Sequence, residues 1–321
     1  MPYFLACVSH GPAIALPNPR ARQHDEVMAA YASLAAKLQA FDPELIVLFA
    51  PDHYAGVHLN LVPPFCLGME CEALADYGGF PGVLQVPRAT VEACVEHLRD
   101  CGFDPCVSHR MLVDHGFSQP LHWLAGGVGR YPVLPILINT TCRPVSRFAR
   151  IRQFGTAVGQ FAQGLGKRVA FIASGGLSHH PANIFPQQLN DESAQIREYL
   201  TYGGMRGGML IEDWLRYLGE RTIVGGDLVA SGKRVAADFR INPEWDARFL
   251  ELICDDRLEV FDSWDPEAVV AEAGVAALEV QQWLAARSAA QVCGIRKPAV
   301  DLYLATVEYR IAVGAMHAEP L

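Results

Sequence analysis

Residues 44–54 read ELIVLFAPDHY. The first seven are apolar apart from Glu44, and Pro51 ends the run. An apolar run without polar alternation is the pattern of a strand buried on both faces. Four other runs share it: YFLACV (3–8), RMLV (110–113), YPVLPILI (131–138) and RVAFIASG (168–175). Between them, residues 25–41, 88–101, 119–126 and 147–164 carry helical periodicity. Strands alternating with helices predict an α/β fold: a central mixed, largely parallel sheet flanked by helices. Residues 59–68, LNLVPPFCLG, read as an edge strand or loop, because Pro63 and Pro64 lack the N–H groups a central strand needs.

The chain changes character after residue 180. Residues 191–199 look helical, 203–208 are a Gly-rich break, and 211–237 mix helix and loop signals. Residues 265–290 are Ala/Glu/Val-rich and helical, with a break near Gly274. The tail after Lys297 shows no clear pattern. The expectation is one domain over residues 1–321, sheet-rich in 1–180 and more helical in 181–321.

Composition narrows the function. The chain has 321 residues, 51% hydrophobic and 19% charged, enough to bury a sizeable core. A net charge of −9 argues against a nucleic-acid partner. No apolar run reaches the roughly 18 residues of a membrane span. The start, MPYFLACVSHGP, has neither a basic segment nor a long apolar one, so no secretion signal is read there. Nine cysteines at irregular spacing, with no C-x-x-C, suggest reduced thiols in a cytoplasmic protein and no zinc–thiolate cluster.

Four of the eleven histidines share one context. His10 ends YFLACVSH, His53 follows ELIVLFAPD, His115 follows RMLVD, and His179 follows RVAFIASGGLS. In open α/β sheets, ligand chemistry collects beyond the carboxyl ends of the strands. If the strands are parallel neighbours, four imidazoles converge there. Such clusters bind transition metals or move protons near neutral pH. With a carboxylate and no cysteine, Fe(II), Mn(II) or Zn(II) would suit. Asp52 and Asp114 each precede one of these histidines. Either could fix a tautomer, and either could equally be a turn or cap residue. The other histidines read as surface or packing residues.

The motifs Ser9-His10-Gly11-Pro12, Ala50-Pro51-Asp52-His53-Tyr54, Val113-Asp114-His115-Gly116 and Gly175-Gly176-Leu177-Ser178-His179 come in an order that resembles the class III extradiol ring-cleavage dioxygenases. This is the family of the protocatechuate 4,5-dioxygenase β subunit. PPFCLG, VDHGFSQPL and NPEWDARF support the resemblance, which covers about residues 1–290. It implies a mononuclear Fe(II) held by His10, His53 and a glutamate in a Glu-x-x-x-Trp pattern, here Glu279 to Trp283. Glu272 is a nearby rival. It implies His115 and His179 as the acid and base. The implied reaction cleaves a catechol ring and inserts both atoms of O2. The members most resembled act on 3-(2,3-dihydroxyphenyl)propionate and 2,3-dihydroxycinnamate. A homo-oligomer is also implied.

Tyr54, Phe117, Phe185 and Phe65 are candidates for the substrate-ring wall because they neighbour the motifs. A side-chain carboxylate on the substrate would want an arginine, a lysine or a backbone nest, and no residue stands out for it. Another catechol, a 2-aminophenol, or a zinc-dependent hydrolysis on the same scaffold are alternative readings.

Overall fold

The structure, a computed structural model, describes residues 2–181 and 193–319. Its strands in chain order are β1 (Tyr3–Val8), β2 (Leu45–Ala50), β3 (Phe65–Gly68), β4 (Cys71–Ala73), β5 (Gly82–Val83), β6 (Cys106–Ser108), β7 (Met111–Val113), β8 (Val133–Ile138), β9 (Val169–Ser174), β10 (Ala299–Thr306) and β11 (Ile311–Ala318). Among the described residues, eight of them form one sheet in the order β10-β11-β1-β9-β2-β8-β3-β6. The middle four, β1, β9, β2 and β8, are parallel neighbours, and every residue in them is buried. The mixed, largely parallel sheet read from the apolar runs is present.

Alternate side chains of these strands feed two cores. Leu5, Cys7, Val47 and Phe49 pack on one face with helices Phe148–Gln163 and Val280–Val292. Phe4, Ala6, Ile46 and Leu48 pack on the other with helices His24–Phe41 and His115–Ala125. Burying one Leu or Phe stabilises by about 1.5–3 kcal/mol, against about 0–1 kcal/mol for an exposed ion pair. The two apolar layers therefore hold the sheet. Helices Phe148–Gln163 and Val280–Val292 touch closely. A Cβ on Gly155 or Gly159 would strike the carbonyls of Ala285 and Ala289.

Several local readings are corrected. Phe65–Gly68 is an interior strand, bonded to β8 on one side and β6 on the other. The two prolines lie immediately before it, so no ladder bond is lost. Residues 111–113 belong to a separate three-stranded sheet, β5-β4-β7. The next helix starts at His115 and not at Gln119, because Asp114 caps it. Residues 211–230 form one continuous helix, Ile211–Ala230, despite three glycines. Its buried Trp214, Leu218 and Val229 outweigh the low propensity of glycine. Residues after 297 are not featureless: β10 and β11 pair antiparallel, and β11 extends the sheet on β1. The helical stretch does break at Gly274, where φ is 96°. No helix of the described residues is long and apolar enough to cross a membrane.

Candidate active site

His10 follows β1, His179 follows β9 and His53 follows β2, and these strands are adjacent in the order β1-β9-β2. Their carboxyl ends open on one side of the sheet, where α/β folds place ligands. His115 arrives differently. It is the first residue of the helix after β7, which lies outside this sheet. It nevertheless joins the cluster. Ring centroids are 5.2 Å apart for His10 and His53, 5.3 Å for His10 and His115, and 4.6 Å for His53 and His115.

Glu279 completes the group from the distant helical region. Its Oε2 lies 3.7 Å from His10 Nε2, and its Oε1 lies 3.4 Å from His53 Nε2 and 3.9 Å from His179 Nε2. All five side chains are buried. The Glu-x-x-x-Trp spacing has a local reason. Residues four apart sit one helical turn apart on the same face. Here Trp283 Nε1 donates to the Gly175 carbonyl at 3.1 Å, and Glu279 Oε2 accepts from Gly176 N at 2.7 Å. Both therefore grip the loop that carries His179. The rival Glu272 points away and pairs with Arg248 at 2.6 Å.

Each imidazole is held at Nδ1. His10 Nδ1 lies 2.8 Å from Ser174 Oγ. His53 Nδ1 donates to Asp114 Oδ2 at 3.1 Å, and its backbone N donates to the same oxygen at 2.6 Å. His115 Nδ1 donates to Asp76 Oδ2 at 2.5 Å. His179 Nδ1 donates to the Leu177 carbonyl at 2.8 Å. Fixing one ring nitrogen sets the tautomer and leaves the other for chemistry.

Asp114 is thus both a tautomer-fixing residue and a cap, since its Oδ1 accepts from Gly116 N at 2.8 Å. It serves His53 and not the adjacent His115. Asp52 has no such partner among these imidazoles. Its two oxygens accept from the backbone N–H groups of Tyr54, Ala55, Gly56 and Val57, so it organises the loop after β2. Gly116 approaches Pro51: an added Cβ would sit 3.0 Å from its carbonyl oxygen.

Charge in the cluster is uneven. Burial pushes His10 down to about 3, with Glu279 pulling the other way. Burial likewise lowers His179. For His53 burial also opposes protonation, but Asp114 and Glu279 together raise it well above its ordinary value. Burial works to raise Glu279, yet the surrounding histidines hold it down at about 2. The site therefore keeps a buried carboxylate ionised among imidazoles, an arrangement that favours a cation.

Two donor sets could hold a metal. Atoms of His10, His53 and His115 lie within 4.8 Å of one another. Glu279 also faces the Nε2 atoms of His10 and His53. Imidazole nitrogens oriented through Nδ1, together with an anionic oxygen, fit a divalent transition metal.

The histidines and Glu279 form one part of the wall of a cavity of about 330 Å³. Tyr77 also lines it, its ring 5.0 Å from that of His115. Among the described residues, the aromatic candidates Tyr54, Phe117 and Phe65 are not part of its wall. Tyr54 packs in a cluster with Tyr199 and Trp214, Phe117 is wholly buried under the sheet, and Phe65 stacks on Phe154 at 4.0 Å. Phe185 lies outside the described residues. Sequence reading missed Asp76, Tyr77 and Ser174. The pair Asp76-Tyr77 precedes Gly78-Gly79 and reads locally as a turn.

Residues 4–308 match the family described as the catalytic LigB subunit of aromatic ring-opening dioxygenase. A Pseudomonas putida protein named 2,3-dihydroxyphenylpropionate/2,3-dihydroxicinnamic acid 1,2-dioxygenase 2 is 40% identical over 291 residues, covering 91% of this chain and 90% of that one. The Azotobacter vinelandii protein named 2,3-dihydroxyphenylpropionate/2,3-dihydroxicinnamic acid 1,2-dioxygenase is 38% identical over 315 residues, 98% of each chain. A solved structure of an uncharacterized Escherichia coli K12 protein aligns with a TM-score of 0.49 at 10% identity, over 98% of this chain and 99% of that one. With strand-end histidines, a buried carboxylate and a family match over nearly its whole length, this chain belongs to the LigB family of aromatic ring-opening dioxygenases.

Proposed function

We propose that this chain is an Fe(II)-dependent extradiol dioxygenase that opens the ring of 3-(2,3-dihydroxyphenyl)propionate, and of 2,3-dihydroxycinnamate, with both atoms of O2 entering the product. The observation that carries the site assignment is the Glu279 carboxylate set between the Nε2 atoms of His10 and His53. These three residues would hold the iron as two histidines and one carboxylate. When bound, Fe(II) supplies two-point attachment for a catechol, a place for O2 beside it, and redox chemistry that side chains lack. The substrate assignment is supported by the names of the relatives at 38–40% identity.

The chain's own work is proton transfer, orientation and exclusion of water. His179 Nε2 takes the phenolic proton, its Nδ1 being tied to the Leu177 carbonyl. His115 Nε2 returns a proton as the ring opens. Asp76 at its Nδ1 holds the ring in place and leaves Nε2 facing the site. Each such transfer contributes roughly 10²–10⁴-fold. Tyr77, the imidazoles and Glu279 are buried at this end of the cavity, so charge developing there is felt strongly. A single catalytic domain is supported by β10 and β11, which join the C-terminal residues to the sheet of the first half. The nine free cysteines support a cytoplasmic setting.

The three-histidine group gives a zinc hydrolase some footing, since zinc accepts three imidazoles. One experiment separates the two. Protein purified anaerobically and loaded with Fe(II) should consume O2 with 3-(2,3-dihydroxyphenyl)propionate, far faster than with plain catechol, and form the yellow ring-fission product. Tightly held zinc and no O2 uptake would sink the proposal.

A further inference from the structure

The histidines and Glu279 account for only part of the cavity wall. Much of the rest comes from helix Ile211–Ala230, the segment after it, and the turn between β10 and β11. That turn ends at Arg310, whose N donates to the Val307 carbonyl at 2.9 Å. Arg310 has φ of 61°, in the left-handed region that side chains other than glycine seldom adopt. We propose that the Arg310 guanidinium binds the side-chain carboxylate of the substrate, an inference that rests on the substrate proposed above.

Four observations carry it. Arg310 lines the same cavity as the four histidines. Its Nη1 donates to the Thr222 carbonyl at 2.7 Å, which fixes the plane of the group. Its Nη2 is buried without a hydrogen-bond partner, and a small turn of the side chain toward the cavity would let a carboxylate satisfy it. Among the described residues no carboxylate pairs with this largely buried positive charge. Burying such a charge is costly without an anion.

The helix is also shaped around it. A Cβ at Gly225 would lie 2.6 Å from Nη1. A glycine in mid-helix weakens the helix, and here it makes room for the guanidinium. The other arginines on the wall are engaged elsewhere. Arg234 lies 3.7 Å from Asp238, and Arg221 stands over the Tyr217 ring at 5.5 Å. A propionate fits this description: an anion with two oxygens, carried at a distance from the catechol hydroxyls. Planar guanidinium recognises such a group better than an ammonium does.

The test compares the Fe(II)-loaded wild type with Arg310→Gln and Arg310→Lys on 3-(2,3-dihydroxyphenyl)propionate and on the neutral 3-propylcatechol. Glutamine keeps a donor for the Thr222 carbonyl and removes the charge. The ratio of kcat/KM for the acid over the neutral catechol should fall about 10²-fold in Arg310→Gln, the scale of a desolvated charge contact, and less in Arg310→Lys. An equal loss on both substrates, or collapse of the ratio in Arg234→Gln with Arg310→Gln unaffected, would overturn the assignment. A second measurement needs no turnover. In calorimetric titration of the metal-free protein, 3-phenylpropanoate should bind wild type at least tenfold more tightly than its amide, and Arg310→Gln should lose that preference while Arg234→Gln keeps it. Equal affinities in wild type, or a preference that survives in Arg310→Gln, would overturn the assignment. If wild type turned over no catechol at all, the proposed function would fall, while the acid-to-amide comparison would still decide Arg310.

Discussion

At the histidine end of the cavity, each of four imidazoles has its Nδ1 held by a partner of its own: Ser174, Asp114, Asp76 and the Leu177 carbonyl. At the end formed by helix Ile211–Ala230, Arg310 rests on one carbonyl, that of Thr222, and one of its nitrogens has no partner. The first end must place reacting atoms within a fraction of an ångström, so every imidazole is oriented through its Nδ1 before substrate arrives. The second need only select the periphery of the substrate, and it is completed by the ligand. Damage to the first should abolish the reaction for every catechol. Damage to the second should change which catechol is used.

The largest effect should come from Glu279→Ala or His10→Ala. Either removes a donor from the proposed iron site, and metal content and O2 uptake should both fall to background. If Glu279→Ala kept its iron while His115→Ala lost it, the three-histidine set would be the true ligand set. Next come His115→Gln and His179→Gln. Turnover should drop roughly 10²–10⁴-fold, the usual worth of a positioned acid or base, with iron retained. Elemental analysis beside steady-state kinetics separates the two classes.

A smaller effect should follow from Asp114→Asn. Asparagine caps a helix about as well as aspartate, so the start of helix His115–Ala125 should survive. What changes is the group facing His53 Nδ1, where a carboxylate becomes a neutral amide. Iron affinity should weaken about 10–100-fold, the usual cost of losing such an outer partner. Thermal unfolding followed beside an iron titration would reveal a purely structural role, as lost stability with unchanged affinity. Asp76→Asn should act in the opposite sense, lowering turnover while iron affinity holds.

The same contrast explains how much the sequence disclosed. The sheet was legible because strands buried on both faces must be apolar throughout, and the chain offers few such runs. The strand-end histidines were legible because each sits a few residues from its run. Gly274 announced the helix break before Glu279. Partners distant in sequence left no local trace. Ser174 lies 164 residues from His10, and Asp76 lies 39 from His115. Phe65–Gly68 is only four residues long, so its central place depends on neighbours found elsewhere in the chain. His115 was expected from the same sheet as the others, because RMLV resembles the other runs at short length. Arg310 was illegible because its meaning comes from Thr222 and Gly225, which no local pattern ties to it.

The smallest effect expected is at Glu272, the other carboxylate near the Glu-x-x-x-Trp pattern. From sequence alone the two glutamates are hard to tell apart, since each lies in an Ala/Glu/Val-rich helical stretch. Folding separates them. Gly274 turns the chain between the two, and a Cβ there would strike the His179 carbonyl, so the break is seated directly against the loop that carries His179. Glu279 then falls on the buried side, and Glu272 is left half-exposed with Arg248. A pair this open to solvent contributes about 0–1 kcal/mol. Glu272→Gln should therefore leave iron content intact and O2 uptake within about twofold of wild type, with a stability change inside that range. Iron loss in Glu272→Gln comparable to that in Glu279→Ala would mean that the helix break does not sort the two carboxylates, and the division between the two ends of the cavity would have to be redrawn.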